Sequence, residues 1–178
     1  MALRPLITEQ EIRDRIQQIA AQIDHDYPDG KLYLIGILKG ACIFLADLAR
    51  AIQRDAFIDF MGISSYGKSK TSSGEVRITK DLDIELDGAD VLIIEDIIDS
   101  GITLSYLTSV LKSRNPRSVR IATLLDKPER RKRQVDVAYV GFRIPDEFVV
   151  GYGLDYGEKY RNLREVCVLE DPEGATGQ

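Results

Sequence analysis

Glu95, Asp96 and Asp99 stand immediately before the run Ser100-Gly101-Ile102-Thr103. Carboxylates accept hydrogen bonds from hydroxyls, and a turn of small and hydroxyl residues opening a helix offers backbone amides to a phosphate. Together these groups suit a phosphorylated sugar. Two adjacent carboxylates with no cation beside them repel by about 1 kcal/mol even in water, so a positive or hydroxyl-rich partner is expected. A hard cation alone would also satisfy them, and a merely acidic strand–helix turn fits the same letters. The spacing is neither the GxxxxGK[ST] of a P-loop nor the GxGxxG of a dinucleotide fold.

The surrounding sequence must position those groups. Val91-Leu92-Ile93-Ile94 is an apolar run of the kind a strand buried on both faces needs, and Leu104, Leu107 and Leu111 recur at helical spacing after the turn. A second strand–loop–helix unit runs from Leu32 to Ile37, through Leu38-Lys39-Gly40-Ala41, into a helix with Phe44, Leu45, Leu48, Ala49 and Ile52 on one face. Lys39 and Gly40 therefore fall at a strand's carboxyl end, where open parallel sheets place ligand sites; a solvated lysine in a connecting loop fits equally.

Upstream, Thr8-Glu9-Gln10-Glu11 has the form of a capping box, followed by Ile12, Ile16, Ile19, Ala20 and Ile23 on one helical face. Pro28-Asp29-Gly30 reads as a turn, and the lone His25 before it as a solvated surface residue. Phe57 to Ile63 predicts a strand. After it the stretch from Ser64 to Gly74 offers no core residue except Tyr66, which predicts a mobile surface loop with Val76 to Thr79 as its return strand. Asn115-Pro116 stops the central helix, and Val119 to Leu125 is a buried strand ending in Asp126-Lys127-Pro128. The basic run Arg130-Arg131-Lys132-Arg133 reads as a solvated connecting loop. Val135 to Phe142, Phe148 to Gly151 and Val166 to Leu169 supply later β segments, and residues 171–178 read as a disordered tail. The strand–helix alternation predicts an α/β fold with a mainly parallel twisted sheet flanked by helices. The later segments predict an antiparallel edge or small hood.

Composition narrows the class. A chain of 178 residues with 44% hydrophobic and 30% charged residues predicts one ordinary globular domain over 1–178. No apolar run reaches membrane-spanning length, and MALRPLITEQE lacks the apolar core of an export signal, so a cytoplasmic location is expected. Cys42 and Cys167 sit in apolar contexts without metal-ligand spacing and predict buried free thiols. The net charge of −5 argues against a nucleic-acid binder.

The stretch from Asp90 to Ser105 resembles the phosphoribosyl-pyrophosphate (PRPP) motif of the type I phosphoribosyltransferases. In its EDIIDSGITL form, together with LKG, SSYG, DKP and FVVGYGLDY, the chain is similar to the hypoxanthine-guanine branch, over nearly the whole span from Leu32 to Leu169. The resemblance implies that fold, with a small hood and a mobile flap at about 64–75. It implies transfer of 5-phosphoribose from PRPP to N9 of a 6-oxopurine, with Mg²⁺ as cofactor, in a homodimer or homotetramer. It further implies a role for each matching residue. Glu95 and Asp96 would hold the ribose diol and metal, and Asp99, Ser100, Gly101, Ile102 and Thr103 the 5-phosphate. Lys39, Gly40 and Arg161 would meet pyrophosphate, with a cis peptide at Leu38-Lys39, and Asp155 a second metal. Ser65 and Tyr66 would belong to the flap, Lys127, Phe148 and Val149 would bind the purine, and Asp99 would be the general base. Helix capping is the plain alternative for Asp99, and core packing for Phe148. Ala41 and Ser100 depart from the family, which often has glycine or serine, and threonine, at those places. A PRPP-binding regulator that reads nucleic acid, or a xanthine-preferring enzyme, is a rival with the same fold.

Overall fold

The architecture comes from a computed structural model, which describes residues 2–65 and 76–170. The chain opens with β1 (Ala2–Ile7) and α1 (Glu9–Asp26), then β2 (Leu32–Leu38), α2 (Cys42–Ala51), β3 (Phe57–Ser65) and β4 (Val76–Lys80). It continues with β5 (Asp90–Ile98), α3 (Ile102–Lys112), β6 (Ser118–Asp126), β7 (Tyr139–Arg143), β8 (Val149–Val150) and β9 (Val166–Glu170). A six-stranded sheet has the order β4-β3-β2-β5-β6-β7, parallel except for the antiparallel β3–β4 pair. A separate three-stranded antiparallel sheet, β1-β9-β8, forms the hood.

Strand periodicity decides which helix covers which face. In β2 and β5, Leu34, Leu92 and Ile94 join the core shared with α1 and α2, while Tyr33, Ile35, Val91 and Ile93 join the core under α3. Both faces of these strands are thus buried, as their unbroken apolar letters require. α1 starts with the expected capping box: the Glu11 amide donates to Thr8 Oγ1 at 3.3 Å and the Thr8 amide donates to Glu11 Oε2 at 2.8 Å.

Topology sets the place of the site. From β2 the chain crosses through α2 to β3 on one side; from β5 it crosses through α3 to β6 on the other. β2 and β5 are neighbours, so their carboxyl ends flank a switch point, where a crevice opens for ligands.

Several expectations need correction. β5 does not stop at Ile94 but runs on through the acids to Ile98, because Glu95, Ile97 and Ile98 keep their register with β6. The segment from Val135 narrows to β7, and that from Phe148 narrows to β8 with Gly151 in an isolated bridge to Leu154. β1 was not expected: it is largely exposed and pairs only with β9. Cys167 is buried, whereas Cys42 is half-buried; both are free. Most of the expected flap and all of the expected tail lie outside the described residues. Among the described residues no helix is long and apolar enough to cross a membrane.

Candidate active site

At the switch point the loops after β2 and β8 close on the end of β5 at glycines. A side chain at Gly40 would fall on the Asp96 carboxylate, and one at Gly153 would fall on the Gly40 carbonyl. The loops after β2 and β8 therefore approach the acidic end of β5 only because both positions lack a Cβ. The Leu38-Lys39 peptide is cis.

Glu95 and Asp96 form a buried acidic pair. The Asp96 amide donates to Glu95 Oε1 at 3.2 Å, and the Ile97 amide donates to Asp96 Oδ1 at 2.7 Å. Burial, and then the Asp96 charge, push the Glu95 carboxyl well above its ordinary value. Burial raises Asp96 as well, against its hydrogen bonds and the charge of Arg161. Such an all-oxygen pair, short of positive charge, fits a hard cation such as Mg²⁺. Among the described residues no three acidic, histidine or cysteine side chains converge as a metal-binding group.

Next comes the phosphate-sized end. α3 begins behind Gly101, whose φ of +78° puts it in the left-handed region, and no side chain caps the helix. Asp99 is therefore not a cap, and the first-turn amides are left open to a ligand except for a long 3.4 Å bond from Ile102 N to Ser100 Oγ. Glu95, Asp99, Ser100, Gly101 and Thr103 line a cavity of about 170 Å³ there. The loop is buttressed from below by the basic run, which is not simply solvated. The Lys132 and Arg133 amides donate to the Ser100 carbonyl at 2.9 and 3.0 Å, and Arg131 is largely buried in an ion pair with Asp126. An added Cβ on Gly101 would lie 2.5 Å from the Arg133 carbonyl. Lys132 and Arg133 alone keep exposed side chains, as expected of that run.

An adjoining cavity of about 190 Å³, sharing Ile97 and Asp99 with the first, is lined by Asp96, Ile97, Asp99, Lys127, Leu154 and Asp155. Burial pushes the Asp99 carboxyl up, against the charges of Arg130 and Lys127. Burial lowers Lys127, whose side chain is 3% exposed, with its Nζ 3.7 Å from Asp146 Oδ1. Arg130 Nε lies 2.8 Å from Asp99 Oδ1 and Arg130 Nη1 lies 3.3 Å from Asp146 Oδ1, linking the two acids. Phe148 does not line either cavity: it packs on the hood and meets Tyr156 edge-on at 5.6 Å. Val149 is fully buried, so only its backbone could face a ligand.

Across from Asp96, Arg161 Nη2 lies 2.9 Å from Asp155 Oδ1, and Arg161 Nη1 donates to the Gly153 carbonyl at 2.8 Å. Its buried Nε has no hydrogen-bond partner among the described residues. Lys39 reaches the same corner, 2.8 Å from Glu158 Oε2. Ser65 ends β3, and Tyr66 lies outside the described residues. Arg130, Asp146 and Glu158 carried no signal in the sequence: each is one charged letter in an exposed, polar context, and only the fold gives it a partner. A larger cavity of about 500 Å³ between α1, α2 and the Tyr152–Arg164 segment contains none of the expected site residues. Its charged side chains, including Arg13, Asp47 and Arg50, are mostly paired with one another or with Glu9.

A sequence profile described as "Phosphoribosyl transferase domain" matches residues 6–157. A hypoxanthine-guanine phosphoribosyltransferase of Bacillus subtilis is 52% identical over 165 residues, covering 93% of this chain and 92% of that protein. One of Mycobacterium avium is 52% identical over 171 residues, covering 93% and 84%. In three dimensions, a hypoxanthine phosphoribosyltransferase from Staphylococcus aureus superposes with a TM-score of 0.91 at 48% identity, covering 98% of this chain and 94% of that one. Matched by the domain profile over most of its length, and half identical to relatives it spans almost end to end, this chain belongs to the phosphoribosyltransferase family, in its hypoxanthine-guanine branch.

Proposed function

We propose that the protein transfers 5-phosphoribose from PRPP to N9 of a 6-oxopurine, hypoxanthine or guanine, forming the purine mononucleotide and releasing pyrophosphate. The observation that carries this reading is the pair of adjoining cavities sharing Asp99, one ending on the open start of α3 and the other on Lys127. In the first, the amides of Ser100 to Thr103 with the Ser100 and Thr103 hydroxyls hold the 5-phosphate. Glu95 and Asp96 accept from the ribose diol and favour positive charge developing on the sugar as the bond to pyrophosphate breaks. Lys39, Gly40 and Arg161 receive the departing pyrophosphate.

In the second cavity Lys127 donates to the 6-oxo group, which disfavours adenine because its C6 amino group also donates. As N9 attacks the anomeric carbon, the Asp99 carboxylate takes the N7 proton; in reverse it returns it. Phe148, which packs on the hood outside both cavities, would have to turn from Tyr156 to stack on the base beside the Val149 backbone. Ser65 with Tyr66, the latter outside the described residues, would belong to the flap that excludes water. Glu95 and Asp96 would hold one Mg²⁺ and Asp155 a second, and these ions would supply positive charge to the phosphate oxygens. The same reading places the protein in the cytoplasm as a homodimer or homotetramer, which sedimentation of the purified chain resolves.

An absorbance assay with PRPP, Mg²⁺ and each of hypoxanthine, guanine, xanthine and adenine tests the proposal. Turnover of the first two, with adenine inert, supports it. Xanthine alone as substrate, or salt-dependent nucleic-acid binding with no turnover, overturns it.

A further inference from the structure

The reaction requires Lys39 and Arg161 to face the leaving group, yet in the structure both are held by one acid that the reaction does not use. Glu158 bridges them, with Oε2 2.8 Å from Lys39 Nζ and Oε1 3.0 Å from Arg161 Nη2. The residue stands in a turn with Gly157, Glu158 and Tyr160 all at positive φ, +59°, +65° and +75°. Two of the three are not glycine, a conformation that persists only where the surroundings impose it. Asp155 ties this turn to the site, accepting from the Glu158 amide at 2.8 Å through the carboxylate that also faces Arg161.

We infer that Glu158 is a positioning residue that stands in for the leaving diphosphate: it gathers Lys39 and Arg161 while that subsite is free, and must be displaced when diphosphate binds. The inference rests on the function proposed above and concerns the subsite of the leaving group. Two features make the carboxylate a replaceable occupant. Lys39 and Glu158 are both mostly exposed, at 67% and 64%, so their pairing is weak and readily exchanged. It also leaves the buried Arg161 Nε without an acceptor among the described residues. Diphosphate carries more oxygens and more charge than one carboxylate, so it can satisfy Lys39 and Arg161 together and reach that remaining donor. Glu158 therefore spares the free enzyme a splayed pair of cations, at the cost of competing with diphosphate and loosening the hold on that product.

Calorimetric titration of magnesium pyrophosphate, and separately of inosine monophosphate, into the wild type, Glu158→Gln and Glu158→Gly decides the matter. Glycine suits the left-handed backbone, so the second variant removes the carboxylate without stressing the turn. Losing a competitor that makes an exposed ion pair with Lys39 and a half-buried one with Arg161 should tighten pyrophosphate binding by roughly two- to tenfold in both variants. Inhibition of the forward reaction by pyrophosphate should tighten in parallel, while inosine monophosphate binding stays as in the wild type. Unchanged or weaker pyrophosphate binding, in a variant that still takes up inosine monophosphate normally, overturns the role of Glu158 alone. A wild type that binds neither ligand removes the functional reading, and this inference with it.

Discussion

Asp99 and Lys127 face one cavity, and burial drives them in opposite directions, the acid up and the amine down. Burial thus makes Asp99 a better proton acceptor and the Lys127 ammonium a more acidic hydrogen-bond donor, a division suited to handling one base. Asp99→Asn keeps the shape and removes the acceptor, so turnover should fall by about 10²- to 10⁴-fold while PRPP affinity is nearly unchanged. Steady-state rates alongside PRPP titration check this; full turnover would remove the base assignment. Lys127→Ala should raise KM for hypoxanthine far more than KM for PRPP, and equal effects on both would count against its role. Asp99 was legible in the sequence as the acid that opens the small-residue turn, whereas its role as base and the role of Lys127 came only from the family resemblance. Arg130, which ties Asp99 to Asp146, was not legible, because it sits in a basic run whose letters look solvated.

Among the elements, the approach of the loops after β2 and β8 to the end of β5 depends on backbone that bears no side chain. Gly40→Ala drives a methyl into the Asp96 carboxylate, whereas Gly157, also a glycine of the site, has nothing within 4 Å of an added Cβ. Gly40→Ala should therefore cost on the order of a hundredfold in turnover through misplacement of Asp96. Gly157→Ala should cost only about 1 kcal/mol of stability, from its left-handed backbone. Thermal melts and kinetics on the two variants separate the effects; equal loss of turnover in both would contradict the packing argument. The helices were readable from apolar spacing and the Thr8 capping box, and β2 and β5 from unbroken apolar runs. β1 was not readable: its letters ALRPLI contain a proline and lie mostly exposed, so its pairing comes from β9 rather than from any pattern of its own. The extension of β5 past Glu95 was equally hidden, since acids at a strand's end look like a loop until a neighbouring strand holds their register.

For the whole molecule, charge pairs far from the site set the response to acid. Burial pushes the Asp90 carboxyl up, but its bonds to Arg117 and to Ser118 Oγ, the latter 2.6 Å long, outweigh burial and leave it below its ordinary value. Asp26 is lowered first by the Tyr139 hydroxyl, 2.6 Å away, against burial, with help from Arg120. Because both folded values are lowered, their stabilisation is complete above the unfolded carboxylate value of about 3.9 and is lost as pH falls through the folded values. Asp90→Asn should lower stability near neutrality and flatten the acid limb of a melting-temperature profile; an acid limb as steep as the wild type's would refute that assignment. These pairs join β5 to β6 and α1 to β7, which holds the sheet that carries the site. The central claim is that the acidic end of β5 and the open start of α3 form one cradle for a phosphorylated sugar. Crystals grown with PRPP and Mg²⁺ test it most directly. The ribose hydroxyls should rest on Glu95 and Asp96 and the 5-phosphate on the amides of Ser100 to Thr103; a ligand seated instead in the cavity between α1 and α2 would contradict the account.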